Sequence, residues 1–343
     1  MQTGIISDPQ KINFEMWDSF VRNHPDGTVF QATDMYLLFS KTRNFDPVVV
    51  VKMENGMIAG ILLAVVIKEF SGPLGYFSTR TVVYGGPLIS KEIKDPSTTI
   101  DDLLKELIRK VKSRSIFIQF RNFTDMSDSK SVFAQNGFIF MERLNYLVDT
   151  TSEKTVSQNI SDSKVRQIKK GLKAGATIIE PENMDQIKSF YQILHFLYKF
   201  KVKKPLPSLD FFENFYNQSK NGKLGIIRLI KYNERIIGGI LSPVFNNKVI
   251  YEWYVCGLDE EFKDVYPSVL ATWAPIDYAM KNNLQVFDFM GVGVPDRDYG
   301  VREFKAKFGG TLVNYGRFGR INNNFLYAIT EIGFNILALL KKI

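Results

Sequence analysis

The sequence predicts an α/β fold with a mixed sheet, built twice along the chain, and three observations carry that expectation. Residues 55–63 (NGMIAGILL) and 233–241 (NERIIGGIL) share Asn-x-x-Ile-x-Gly followed by aliphatic side chains. Each copy is preceded by an apolar run, residues 47–52 and 224–230, so each reads as a β-hairpin with asparagine at the turn. The elements downstream then follow in the same order in both halves. A repeat offset on the order of 170–180 residues marks a duplicated domain and not a solenoid array.

In chain order, residues 100–112 and 266–281 place apolar side chains at helical spacing. The strand-like runs SIFIQF and QVFDFM come next. A short aromatic helix broken by glycine follows in each half, FAQNGFIF at 133–140 and FKAKFGGTLV at 304–313. Hairpin, helix, strand, short helix, glycine and strand make an α/β plan with helices flanking a mixed sheet. A chain of 343 residues exceeds what one core normally serves. The expected division is therefore 1–150 and 151–343, with the boundary in the polar run 149–159 after the strand-like NYLVD.

Lys and Arg number 44 against 36 Asp and Glu, a surplus of eight that favours anionic partners: nucleic acid, nucleotide phosphates or an acidic membrane surface. With Cys256 as the only cysteine, disulfides within the chain and cysteine zinc clusters are excluded. His24 and His195 are the only histidines. His195 lies in the apolar run SFYQILHFLYKF, where a core histidine is expected, so a Ser-His-Asp triad or histidine metal site has little material. Neither metal nor cofactor is called for. The N-terminus shows no basic segment followed by an apolar core, and the apolar segment 325–340 is too short to span a bilayer and carries Glu331 and Asn335. A cytoplasmic protein is expected. Phe325, Ile329, Ile332, Ile336 and Leu340 share one helical stripe, read as packing on its own domain, with contact to an anionic membrane as the alternative.

Residues 288–310, DFMGVGVPDRDYGVREFKAKFGG, open like a nucleotide loop but lack what one needs. The third glycine of a dinucleotide fingerprint is replaced by Asp296 after Pro295, and no Gly-Lys-Ser/Thr follows. The stretch reads instead as a sharp turn at a strand's carboxyl end, leading into a helix stopped by Gly309 and Gly310. Val301, Phe304 and Phe308 share one face of that helix, and Arg302, Lys305 and Lys307 are expected to reach outward, with Lys307 merely solvated. This presents cations at the open end of a sheet, where α/β proteins commonly bind ligands.

Two further basic stretches suit phosphates. In residues 161–175, Arg166, Lys169, Lys170 and Lys173 recur opposite Val165, Ile168 and Leu172. Lys199, Lys201, Lys203 and Lys204 cluster ahead of Pro205 and Pro207, as a phosphate grip or as a surface loop. Glu252 and Asp288 sit inside apolar strand-like runs; a buried carboxylate can serve as a general base, but local polar partners are the default.

The motifs Asp-Phe-x-Gly-Val-Gly-Val-Pro, Asp-Tyr-Gly-Val and Phe-Lys-x-x-Phe-Gly-Gly resemble those of the FemABX family. So do SDSKVRQIKKGLKAG at 161–175 and KVKKPLPSLDFF at 201–212. The resemblance covers nearly the whole chain, specific in the last third and diffuse in the first. It implies two tandem GNAT-like (acyltransferase-like) domains and transfer of an amino acid from aminoacyl-tRNA to an amine of a peptidoglycan precursor, UDP- or lipid-linked. It also implies that Lys305 lies at the reaction centre, where an ammonium would stabilise charge growing on an ester oxygen, with Phe304 fixing its approach. On that expectation Lys305→Met abolishes transfer with thermal stability nearly unchanged. Arg166, Lys169, Lys170, Lys201, Lys203, Lys204 and Arg302 would hold phosphates. The acidic residue that some members carry soon after a Gly-Pro is missing, since nothing acidic follows Gly86-Pro87 before Glu92.

Two other functions stay open: an acyl-CoA-dependent N-acyltransferase of surface polysaccharide or lipid synthesis, and a non-catalytic RNA- or membrane-surface-binding protein. Against the first, neither strand-to-helix junction has the glycine loop that seats a CoA pyrophosphate, and Asp259, Glu260, Glu261 and Asp264 crowd the second with negative charge.

Overall fold

A computed structural model describes residues 3–69, 75 and 78–328. The terminal stripe, read as packing on its own domain with membrane contact as the alternative, therefore lies outside the described residues, apart from Phe325. No helix among the described residues is long and apolar enough to cross a membrane.

The chain forms two compact units. Its strands in order are β1 (Gly4–Ile6), β2 (Phe45–Glu54), β3 (Met57–Lys68), β4 (Thr79–Tyr84), β5 (Leu88–Ile89), β6 (Phe117–Arg121), β7 (Ile139–Met141) and β8 (Leu144–Asp149). They continue as β9 (Thr177–Ile179), β10 (Gly225–Tyr232), β11 (Arg235–Phe245), β12 (Val249–Tyr251), β13 (Tyr254–Gly257), β14 (Val286–Asp288), β15 (Thr311–Asn314) and β16 (Arg317–Ile321).

One sheet runs β1-β2-β3-β4-β6-β16-β7 with β5 also on β3, and the other runs β9-β10-β11-β12-β14-β8-β15 with β13 also on β11. Place by place the two orders are the same. In each, one neighbouring pair is parallel, β4 with β6 and β12 with β14, and the other pairs are antiparallel. The expected mixed-sheet duplication is what the chain adopts.

The hairpins repeat in detail. Asn55-Gly56 and Asn233-Glu234 all have positive φ, the twist that a two-residue hairpin turn requires. Each hairpin slips register at the same place, Lys52 pairing with Gly60 and Ile230 with Gly238. The glycine of the shared motif thus follows a β-bulge in both copies.

The units are not the contiguous halves 1–150 and 151–343. One takes the chain up to Glu142 and again from Tyr315 onward, and the other takes Arg143–Asn314. The reason is a reciprocal exchange of strands. NYLVD, expected to close the first half, is β8 and pairs with β14 and β15 of the second sheet. The equivalent place in the first sheet is filled by β16 from the far end of the chain, between β6 and β7.

Helices cover the sheets through apolar faces. Leu103, Leu104 and Leu107 of the helix Pro96–Val111 pack with Val50, Leu62 and Phe120. Leu270 and Ile276 of the helix Pro267–Lys281 pack with Ile230, Ile250 and Phe287. Both helices open on proline, whose missing N–H costs nothing at that position.

Candidate active site

In the second sheet the two parallel strands part company after the pair Tyr251 and Asp288. The Glu252 N–H still donates to the Asp288 carbonyl, at 2.9 Å. Beyond it the first strand continues as β13 against β11, while the second turns into the loop leading to residue 299. This is the open strand end anticipated from the motif, and a buried polar cluster occupies it.

Asp288 is buried, and its Oδ1 accepts from Asn145 Nδ2 at 2.7 Å and from Met290 N–H at 2.6 Å. Asn145 Oδ1 in turn accepts from Gly291 N–H at 2.7 Å. The exchanged strand β8 thereby anchors the turn. Met290 holds φ 57, a left-handed conformation costly for a side chain with a Cβ, and the bond to Asp288 offsets that cost. Burial pushes the Asp288 carboxyl up to about 6, against the opposing pull of Asn145, the Met290 N–H and Lys305.

Lys305 projects from the short helix Gly300–Ala306 but does not reach outward; it is buried. Its ammonium lies 2.5 Å from Glu252 Oε1 and donates to the carbonyls of Phe289 (2.9 Å) and Gly291 (3.3 Å). An ammonium has three protons, and all three are engaged. Glu252 is buried too; burial raises its pKa, Lys305 opposes, and Asp288 pushes the same way as burial. Its Oε2 has no hydrogen-bond partner among the described residues. The expectation that Lys305→Met leaves stability nearly unchanged fails on this geometry, because the substitution strands a buried carboxylate.

Arg302 is likewise turned inward. Its guanidinium donates to the carbonyls of Val292 and Pro295, each at 3.0 Å, and to that of Val294. Its planar fork therefore holds the Gly-Val-Gly-Val-Pro turn and is spent on backbone, which removes it as a phosphate ligand. The same fact settles the character of that turn: it aims carbonyl oxygens at cations, whereas a phosphate cradle needs N–H donors.

Phe304 is half-buried, and its ring lies 3.9 Å from Lys164 Nζ, with the Phe308 ring at 5.3 Å. Lys164 was not singled out from the sequence. It stands in line with the buried Ile168 and Gly171 on the inward face of the helix Asp162–Lys173, so the signal was a lysine on an apolar stripe. Its ammonium also donates to Gln167 Oε1 at 3.1 Å. Burial, followed by the charge of Lys307, lowers its pKa to about 8.

The remaining predicted cations are exposed. Arg166, Lys169 and Lys170 line the outward face of the Asp162–Lys173 helix, with Lys170 paired to Asp264 at 2.7 Å. Lys201, Lys203 and Lys204 are exposed, and Lys201 meets Glu260 at 2.7 Å. His195 is exposed, not a core residue, because its helix presents Ile193 and Leu194 inward instead. His24 contacts the Ile89 carbonyl oxygen at 2.9 Å and accepts from the Asp26 N–H through Nδ1.

The helix ends that would seat a CoA pyrophosphate carry carboxylates. Asp95 accepts from the Thr98 N–H at 3.1 Å at the start of the helix Pro96–Val111. Asp259 accepts from the Ser268 N–H at 2.9 Å at the start of the helix Pro267–Lys281.

Residues 228–333 match the FemAB family model. No curated protein sequence matches the chain. Among solved structures, FemX is similar over 95% of this chain and 99% of its own, with TM-score 0.66 and 16% identity. A tandem GNAT protein from the clavulanic acid biosynthesis pathway is similar over 94% and 99%, with TM-score 0.58 and 9% identity. L-PGS from Bacillus licheniformis is similar over 94% and 96%, with TM-score 0.55 and 12% identity. At these identities the likenesses establish the fold, two tandem GNAT-like domains. The match to the FemAB family model falls on the segment that contains Glu252, the Gly-Val-Gly-Val-Pro turn and Lys305.

Proposed function

We propose that the protein is an acyltransferase that moves an amino acid from aminoacyl-tRNA to an amine of a peptidoglycan precursor, UDP- or lipid-linked. The observation that carries this reading is the buried Lys305–Glu252–Asp288 cluster at the parting of two parallel strands, inside the segment that matches the family. The acceptor amine attacks the ester carbonyl carbon, a C–N bond forms, the ester C–O bond breaks, and the proton lost by the amine leaves with the ribose oxygen. Charge develops on oxygen, and a fixed cation in a dry site stabilises it. Lys305 supplies that cation if it releases its longest bond, the 3.3 Å contact to the Gly291 carbonyl. Phe304, held against Lys164, keeps the short helix in place. Arg166, Lys169 and Lys170 offer an exposed basic face to phosphates. Lys201, Lys203 and Lys204 add further cations on the same unit. Charged tRNA as donor implies action in the cytoplasm.

The acyl-CoA alternative is disfavoured by Asp95 and Asp259, which already occupy N–H donors at both helix starts. The test is incubation with charged tRNA pools and, separately, acetyl-CoA, each with UDP-linked muropeptide. Transfer from charged tRNA is the expected result. Transfer from CoA alone overturns the donor, and no turnover with either leaves a binding protein.

A further inference from the structure

The helix Met184–Leu197 ends in a π-turn, Tyr198–Val202, closed by the Lys203 N–H on the Tyr198 carbonyl at 2.8 Å. Such wide turns are rare and are often found at functional positions. Around it Phe196 is 51% exposed, Phe200 56% and Val202 42%. No other seven-residue stretch among the described residues carries three exposed large apolar side chains. Lys199, Lys201 and Lys203 alternate with them and are exposed, and residues 195–204 contain no acidic residue.

We propose that this knob docks the protein on the surface of an anionic lipid bilayer, with the phenylalanines entering the headgroup boundary and the lysines meeting headgroup phosphates. Aromatic side chains flanked by lysine are what an interfacial element needs, since apolar burial and attraction to anionic lipid add together. A nucleic-acid platform would present open ring faces for base stacking. Here Phe196 and Phe200 pack on one another with centroids 5.1 Å apart, and Lys199 Nζ lies 5.2 Å from the Phe200 ring centroid. What remains outward is a compact apolar tip with Val202 beside it, suited to acyl chains. Lys201 is paired with Glu260 at 2.7 Å, so the headgroup phosphates are met by Lys199 and Lys203. This inference does not rest on the acyltransfer reaction, because its readout requires no turnover.

The test is flotation of the full chain with phosphatidylcholine vesicles, with and without phosphatidylglycerol. The protein is expected to float only with phosphatidylglycerol present, less so as salt is raised. Phe196→Ser/Phe200→Ser should weaken binding roughly tenfold or more, and Lys199→Gln/Lys203→Gln about fivefold per lysine. Unchanged circular dichroism and melting are expected for both variants, whose altered side chains are exposed. Absence of vesicle binding by the unaltered protein overturns the proposal, as does equal binding by both variants. Loss of uncharged tRNA binding in the phenylalanine variant, without any vesicle binding, assigns the knob to RNA instead.

Discussion

Lys305 Nζ stands 2.5 Å from Glu252 Oε1, with both side chains buried and the other two ammonium protons on the Phe289 and Gly291 carbonyls. The pair therefore ties the short helix to both parting strand ends. Removing the lysine alone leaves a buried carboxylate without its counter-charge. Lys305→Met is expected to cost about 3–5 kcal/mol. Adding Glu252→Leu should recover most of that loss, as denaturant unfolding of the two single variants and the double variant will measure. An unchanged midpoint for Lys305→Met would refute the buried pair.

Asp288 should make stability fall with rising pH. Its folded-state pKa of about 6 lies above the usual aspartate value, so the folded protein holds a proton that the unfolded chain has lost. The contribution is full below pH 4 and is lost as pH climbs through about 6. Asn at this position keeps the oxygen that accepts from Asn145 and the Met290 N–H, and removes the titration. The melting difference between Asp288→Asn and the unaltered protein should thus shift in the variant's favour from pH 4 to pH 7. A difference that does not vary with pH refutes the assignment.

Lys164 works in the opposite direction. With a folded-state pKa near 8, below the ordinary lysine value, the folded protein gives up its proton before the unfolded chain does. Its burial penalty is present at pH 7 and fades as pH rises above about 8. Any gain in melting temperature from Lys164→Met at pH 7 should therefore shrink at pH 9.5. A constant difference would mean that the ammonium is not desolvated against Phe304 and Phe308.

Arg302→Ala should loosen the Gly-Val-Gly-Val-Pro turn, since three carbonyls lose one guanidinium. A loss of about 2 kcal/mol is expected, together with faster protease cleavage between residues 292 and 299. Arg302→Lys should not restore it, because a point charge cannot reproduce a planar fork.

The hairpins were legible because their signals are local: continuous apolar runs, asparagine at the turn, and the Ile-x-Gly that follows it in both copies. The short helix with its glycine stop was legible for the same reason. Partner choice was not. NYLVD reads as a strand, but nothing in its own residues says which sheet it joins, since β8 and β16 satisfy the same hydrogen-bonding place. Lys305 and Arg302 were found at the open strand end but given the wrong direction. A helical wheel ranks faces by hydropathy and cannot foresee that Glu252 and a row of carbonyls would draw cations inward. Lys164 went unread because a single lysine in line with Ile168 and Gly171 gives little signal in a helix that also carries Arg166, Lys169, Lys170 and Lys173.

The crossed strands also bear on how the molecule is made. As the chain emerges from the ribosome, β7 is available early, yet the strand that must sit between it and β6 is not translated until residues 317–321. The earlier-synthesised sheet thus waits, with a gap beside its parallel pair, until the later one is nearly complete. The two units should consequently mature together, and a ribosome stalled before residue 317 should carry an N-terminal segment that proteases still cut.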